Sequence, residues 1–98
     1  MSVEEEPVAV IGAFELGNNY PNPFNPSTTI PFTLAHRARV RLKVYDLLGR
    51  NCGTLIDRDL PAGQHHARFY VDDLASGTYV YELDAGTYRE SKKLIIAR

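Results

Sequence analysis

A lone cysteine, no tryptophan, no excess of either charge and no long apolar run define this sequence first by what it lacks. Cys52 by itself closes no internal disulfide and supplies too few ligands for a zinc site. It reads as a small buried hydrophobe, and no neighbouring residue cues a reactive thiol. Eleven basic residues are interspersed with twelve acidic ones, for a formal net charge of −1. That balance removes any electrostatic argument for a nucleic acid or an anionic membrane as partner. The apolar runs are too short to span a bilayer as a helix. No secretory leader is recognisable, because Met1 is followed by Glu4, Glu5 and Glu6 rather than by a basic start and an apolar stretch. The expectation is therefore that Met1 opens a piece of a longer parent. No helical period occurs anywhere.

What is present begins with Asn18 to Thr28, a block in which Pro21, Pro23 and Pro26 alternate with turn-forming residues. Each proline fixes its own φ and pushes the preceding residue towards extended geometry, so the block cannot be helical. Asn22 and Asn25 precede prolines and are free to hydrogen-bond nearby backbone. Tyr20 and Phe24 are too apolar for a floppy linker. The expectation is a stiff, ordered loop pinned by those two rings, with everything after it running as strands.

Met1 to Pro7 is acidic and proline-ended, a solvated lead-in, and Val8 to Ile11 is a short apolar stretch expected either as a strand or as a loosely packed segment. Phe14 and Leu16 alternate around Glu15. In Thr28 to Leu34, Ile30, Phe32 and Leu34 share one face, and Pro31 places the strand at a sheet edge or leaves that N–H side free. Arg39 to Asp46 sets Val40, Leu42 and Val44 against a wet face of Arg39, Arg41, Lys43 and Tyr45, the pattern of an antiparallel sheet. A hairpin follows, with Asp46 capping the turn and Gly49 suited to positive φ. Cys52 and Leu55 break strict alternation, which predicts a bulge near Gly53 that turns both inward. Leu60 to Gln64 turns the chain again. Thr78 to Asp84 is apolar or aromatic on both faces, which predicts a central strand. Tyr88 to Arg98 is a β-rich run to the end of the sequence.

Candidate chemistry is sparse. His65 and His66 are adjacent on a strand and point to opposite faces, and His36 is remote, so no metal site is expected. Asp72 and Asp73 lack the spacing of a calcium loop. No nucleophile triad, paired-carboxylate motif or phosphate-cradling glycine loop occurs, so neither an enzyme nor a cofactor is expected. The first rival to a non-catalytic role is an accessory carbohydrate-binding module using Tyr45, Tyr70 or Tyr88, and the second is a spacer. Closely spaced turns and short alternating strands predict an all-β fold, an immunoglobulin-like antiparallel β-sandwich of about seven strands. The paired cysteines and tryptophan of antibody domains are missing, so only the architecture transfers.

The succession Leu16, Asn19-Tyr20-Pro21-Asn22-Pro23-Phe24-Asn25-Pro26-Ser27-Thr28 and Ile30 resembles the opening of the type A C-terminal sorting domain of the type IX secretion system. The resemblance continues through Val44-Tyr45-Asp46, Gly49-Arg50, Ala62-Gly63 and Leu74-Ala75-Ser76-Gly77 to Tyr79, Tyr81 and Lys92-Lys93-Leu94-Ile95-Ile96. Phe69 stands where the family often has tryptophan, and Cys52 where it usually has an aliphatic residue. Related immunoglobulin-like domains occur in the flagellar hook-cap protein.

The resemblance implies a domain over 14–98 behind a linker remnant over 1–13. It also implies a non-enzymatic sorting role: export of an N-terminal cargo domain through the periplasm to the cell surface or the exterior. The implied partners are the outer-membrane type IX machinery and its processing peptidase, which would clip the chain upstream and leave the cargo released or surface-attached. No nucleic acid or small-molecule substrate is implied. The expected recognition residues are Gly77, Tyr79, Lys92, Lys93, Leu94, Ile95, Ile96 and Arg98. Gly77 reads equally as a turn-shaping residue, and Tyr79, Leu94 and Ile96 equally as core. Lys93 and Arg98 suit direct contact because charge is rarely buried. The structural motif is expected in Asn19, Tyr20, Pro21, Asn22, Pro23, Phe24, Asn25, Pro26, Asp46 and Gly49.

Overall fold

A computed structural model describes residues 13–23, 26–70 and 74–97. The expectations for Val8 to Ile11, Phe24, Asn25, Asp72, Asp73 and Arg98 lie outside the described residues. Seven strands follow one another: β1 (Glu15–Leu16), β2 (Ser27–Leu34), β3 (Ala38–Tyr45), β4 (Asn51–Leu60), β5 (Gly63–Tyr70), β6 (Gly77–Ala85) and β7 (Tyr88–Ile96). No helix occurs among the described residues. All pairings are antiparallel, in a three-stranded sheet ordered β1-β2-β5 and a four-stranded sheet ordered β4-β3-β6-β7.

The period-two pattern decides which faces meet. Leu16, Ile30, Phe32, Leu34, Ala67 and Phe69 from the first sheet pack in one core with Val40, Leu42, Val44, Tyr81, Leu83 and Leu94 from the second. This is the sandwich that the alternation requires. On the solvent face of the larger sheet, charge alternates by strand. Arg39 and Arg41 on β3 meet Asp57 on β4 at 2.9 and 3.5 Å, and Asp84 on β6 meets Arg89 on β7 at 3.0 Å. The two arginines of the β3 stripe thus share one acidic partner within their own sheet.

Three sequence expectations need correction, while for Pro31 the second of its two alternatives, a free N–H side, is the one observed. The irregularity near Gly53 is two register shifts rather than one bulge, with Leu55 and Cys52 the extra residues on either side of it; both are half-buried against the core. Pro31 lies on the middle strand of its sheet, but β1 covers only two residues of that edge. Beyond β1, Gly17 donates its N–H to the Pro31 carbonyl at 2.9 Å, and Pro31 has no N–H to return. Central β6 alternates after all: Tyr79, Tyr81 and Leu83 are buried, and Val80 is half-buried on the outer face beside Tyr45 and Lys93. Tyr20 pins nothing with its ring, which is 57% exposed; its backbone instead pairs with Thr29 in both directions, at 2.9 and 2.8 Å.

Candidate functional site

The strand registers sort the connections into two poles. At one, Phe14 stacks on Tyr88 with ring centroids 5.2 Å apart and meets His36 edge-on at 5.0 Å, beside the turns over 35–37, 61–62 and 86–87. The chain enters the sandwich here. At the other pole lie the proline block, the β3–β4 hairpin turn, the start of β6 and the end of β7. Strands of about eight residues at about 3.3 Å each separate the poles by roughly 26 Å.

The proline block reaches its position through a one-residue irregularity. Gly17 is opposite Pro31 and Tyr20 is opposite Thr29, so three steps on one strand match two on its neighbour. The extra residue turns Asn19 inward, where it is buried. Its amide donates to Thr28 Oγ1 at 3.0 Å and to the Pro21 carbonyl at 3.3 Å, and Thr28 Oγ1 donates to the same carbonyl at 2.9 Å. From the opposite sheet, the buried Tyr81 hydroxyl donates to the Gly17 carbonyl at 2.7 Å and accepts the Asn19 N–H at 3.0 Å. The carbonyl that Pro31 cannot serve is thus served by a phenol from across the core. Burial pushes the Tyr81 hydroxyl up to about 12, only partly opposed by the Asn19 N–H.

The block then docks on the last strand. Asn22 Oδ1 accepts the backbone N–H of Ile95 at 3.0 Å. That N–H points away from β6, so β7 is an edge strand whose outer side is capped at this one rung. Backbone groups of Lys93 and Ser91 face the same outer side, and no described strand pairs with them. The Tyr20–Pro21 and Asn22–Pro23 peptide bonds are both cis.

The hairpin turn is built by Asp46. Its Oδ1 accepts the N–H groups of Leu48 and Arg50, each at 2.9 Å, and its Oδ2 meets Arg50 Nε at 2.7 Å. The Arg50 N–H, followed by the Arg50 and Leu48 hydrogen bonds, holds the carboxyl below its ordinary value. Gly49 supplies the positive φ of 86° that closes the turn. The turn thrusts out Leu47 and Leu48, 67% and 78% exposed.

The residues expected to recognise a partner divide by burial. Tyr79, Leu94 and Ile96 are core, so they shape the strands and present no side chain. Tyr79 also donates from its hydroxyl to the Ala75 carbonyl at 2.8 Å, holding the bend before β6. Lys92 is half-buried, 3.8 Å from Glu90. Gly77, Lys93 and Ile95 are exposed at the pole. Tyr20, Leu47, Leu48, Tyr70 and Ile95 are the exposed large hydrophobics among the described residues; Leu47, Leu48, Tyr70 and Ile95 belong to this pole, and Tyr20 faces the outer side of the smaller sheet. Sequence reasoning missed Leu47 and Leu48 as surface candidates; two leucines inside a four-residue turn, where no face can be buried, were the available signal. The tyrosines expected of a sugar platform do not meet. Tyr45 lies on the outer face of the larger sheet, Tyr70 ends β5 and Tyr88 stacks at the opposite pole.

The model of the family described as the secretion system C-terminal sorting domain matches residues 18–97. The chain belongs to this family. No curated protein and no solved structure gives a significant match. The match runs from the proline block to the end of β7, so the two segments joined by the Asn22–Ile95 hydrogen bond open and close the family's pattern. The family is the type IX secretion sorting tail, a non-catalytic domain that acts as a C-terminal signal for export to the cell surface or the exterior. In this sorting domain the proline block, the Tyr45-Asp46 to Arg50 turn and the Ala75-Ser76-Gly77 bend converge on one pole, while Ala62-Gly63 lies at the other.

Proposed function

We propose that residues 14–98 are the address module of a larger cargo protein, read at the pole of Leu47, Leu48, Lys93 and Ile95 by the outer-membrane type IX machinery. The observation that carries this reading is the gathering of exposed large hydrophobics at the pole where the proline block, the Asp46 turn and the end of β7 meet. A grouping of this kind marks a surface built for another protein. Chain entry at the far pole supports it, since a cargo joined through residues 1–13 leaves the recognition end unobstructed. The module crosses the periplasm folded and has no catalytic task. The acidic lead-in Glu4-Glu5-Glu6-Pro7 is where the processing peptidase clips, after which the cargo is released or attached to the surface.

The test is a reporter fused upstream of residues 1–98 in a host that carries the export machinery, with and without the last strand. Export of the intact fusion and its loss on removal of β7 is the expected result. Unchanged export without β7 defeats the C-terminal signal, and no export of the intact fusion favours a spacer.

A further inference from the structure

The outer face of the β1-β2-β5 sheet carries a hollow of about 570 Å³ that the sorting role does not use. Its shape follows from register. Glu15, Thr33 and Gln64 form one transverse row, and Gly17, Pro31 and His66 form the next. Tyr20, Thr29 and Arg68 form a third row. The middle row is low because Gly17 has no side chain and Pro31 lies flat. A Cβ on Gly17 would stand 2.8 Å from Pro31 Cγ. Glu15 and Tyr20 rise on one side of this floor, Gln64 and His66 on the other, two strand spacings or about 9.5 Å apart.

The rim groups are unspent. Elsewhere on the surface, Arg39 and Arg41 pair with Asp57, Arg50 with Asp46 and Arg89 with Asp84, while exposed Arg58 and Asp59, like the rim groups, take part in no ion pair among the described residues. The side chains of Glu15, Tyr20, Gln64 and His66 have no hydrogen-bond or ion-pair partner among the described residues. We propose that this hollow binds a neutral saccharide, one or two rings in size, on the floor of Pro31 between Tyr20 and His66.

The chemistry selects that class. The volume lies within the roughly 300–1,000 Å³ of small-ligand sites. Tyr20 and Pro31 offer flat C–H and π surfaces to the apolar face of a sugar ring. Glu15 accepts only, while Gln64, His66 and the Thr33 hydroxyl both donate and accept, the mixture that vicinal hydroxyl groups need. A wholly apolar ligand would desolvate Glu15 and Gln64 without replacing their hydrogen bonds. An anionic ligand would face the Glu15 carboxylate within the hollow, while Arg68, in the next row, lies outside its lining.

The proposal is independent of export, because its readout is binding to the isolated chain of residues 1–98. Titrating the ¹⁵N-labelled chain of residues 1–98 with cellobiose, maltose and diacetylchitobiose, with glucuronate as the anionic comparator, tests it. At least one neutral disaccharide is expected to give saturable shifts at the amides of Tyr20, Thr33, Gln64 and His66. Glucuronate, and the Tyr20→Ala and His66→Ala variants with cellobiose, maltose or diacetylchitobiose, are each expected to bind at least about tenfold more weakly. Retained thermal stability in both variants separates lost contact from lost fold. Absence of saturable shifts with all three sugars, shifts confined to other residues, or glucuronate binding as tightly as the neutral sugars would each overturn the proposal.

Discussion

Asn22 and Ile95 are 73 positions apart in sequence, and the side-chain oxygen of the first holds the backbone N–H of the second at 3.0 Å. One hydrogen bond therefore ties the proline block to the strand that ends the chain. An edge strand is the least protected part of a sheet, and Asn22 protects this one at the rung nearest its end.

Replacing Asn22 by Ala removes that acceptor while leaving the neighbouring prolines. The expected loss is about 0.5–1 kcal/mol, since the site is exposed and water competes. Amide hydrogen exchange is the sensitive readout: the Ile95 N–H should exchange faster while that of Leu94, bonded within the sheet, should not. Asn22→Asp keeps an acceptor and should retain protection. Unchanged Ile95 exchange in Asn22→Ala contradicts the coupling.

Tyr81→Phe tests the cross-core tether. Without the hydroxyl, the buried Asn19 N–H has no acceptor and the Gly17 carbonyl loses its donor, at a cost of about 2–3 kcal/mol. Urea unfolding should show a lower midpoint with an unchanged slope. The pH dependence has a definite sign. Burial raises the Tyr81 hydroxyl from 10.0 to about 12, so the folded state holds a proton that the unfolded chain releases first. Its contribution is fully present below pH 10 and is lost as pH rises towards 12. Tyr88, also raised to about 12 by burial and by the Glu90 carboxylate, acts in the same window. Tyr81→Phe should flatten the alkaline decline, and an unaltered decline contradicts the assignment.

Gly17→Ala should destabilise by about 1–3 kcal/mol through overpacking. The added Cβ falls 2.8 Å from Pro31 Cγ and 3.2 Å from the Pro31 carbonyl oxygen. Adding Pro31→Ala removes Cγ, so the double variant should lose less than the sum of the two singles. Strict additivity, measured by thermal unfolding, contradicts the contact.

Asp46→Asn should lower the melting temperature by weakening the hairpin turn that presents Leu47 and Leu48. The Asp46 carboxyl titrates below its ordinary 3.8, chiefly because of the Arg50 N–H, so its contribution is present above that value and fades as pH falls below it. The gap between wild type and variant should therefore close in acid. A gap that persists at low pH points to another cause.

Most of the sandwich was legible in the sequence because period-two alternation in Thr28 to Leu34, Arg39 to Asp46 and His65 to Tyr70 fixes a buried face before any partner is known. The Asp46 to Arg50 hairpin was legible for the same kind of reason: its residues solve a local backbone problem. The Tyr81 tether and the Asn22 cap were not, since each joins residues more than 60 positions apart and nothing local distinguishes those side chains. The doubled bulge around Gly53 was half visible, because broken alternation reveals an irregularity but not how many residues it inserts. The pole itself needed the registers. Leu47 and Leu48 are recognisable as exposed, but only pairing brings them to the same end as Ile95 and Tyr70.

Export of an upstream reporter by surface variants at the two poles is the most direct measurement. One set would carry Leu47→Asp, Leu48→Asp and Lys93→Glu, and the other Arg37→Glu, Ala62→Asp and Thr87→Asp at the opposite end. All six positions lie outside the buried core, so both sets should remain folded by thermal unfolding. The first set should reduce export by about tenfold or more, as loss of contact residues does, and the second should leave it unchanged. Equal export from both, or a loss confined to the second, contradicts recognition at the pole of Leu47, Leu48 and Lys93.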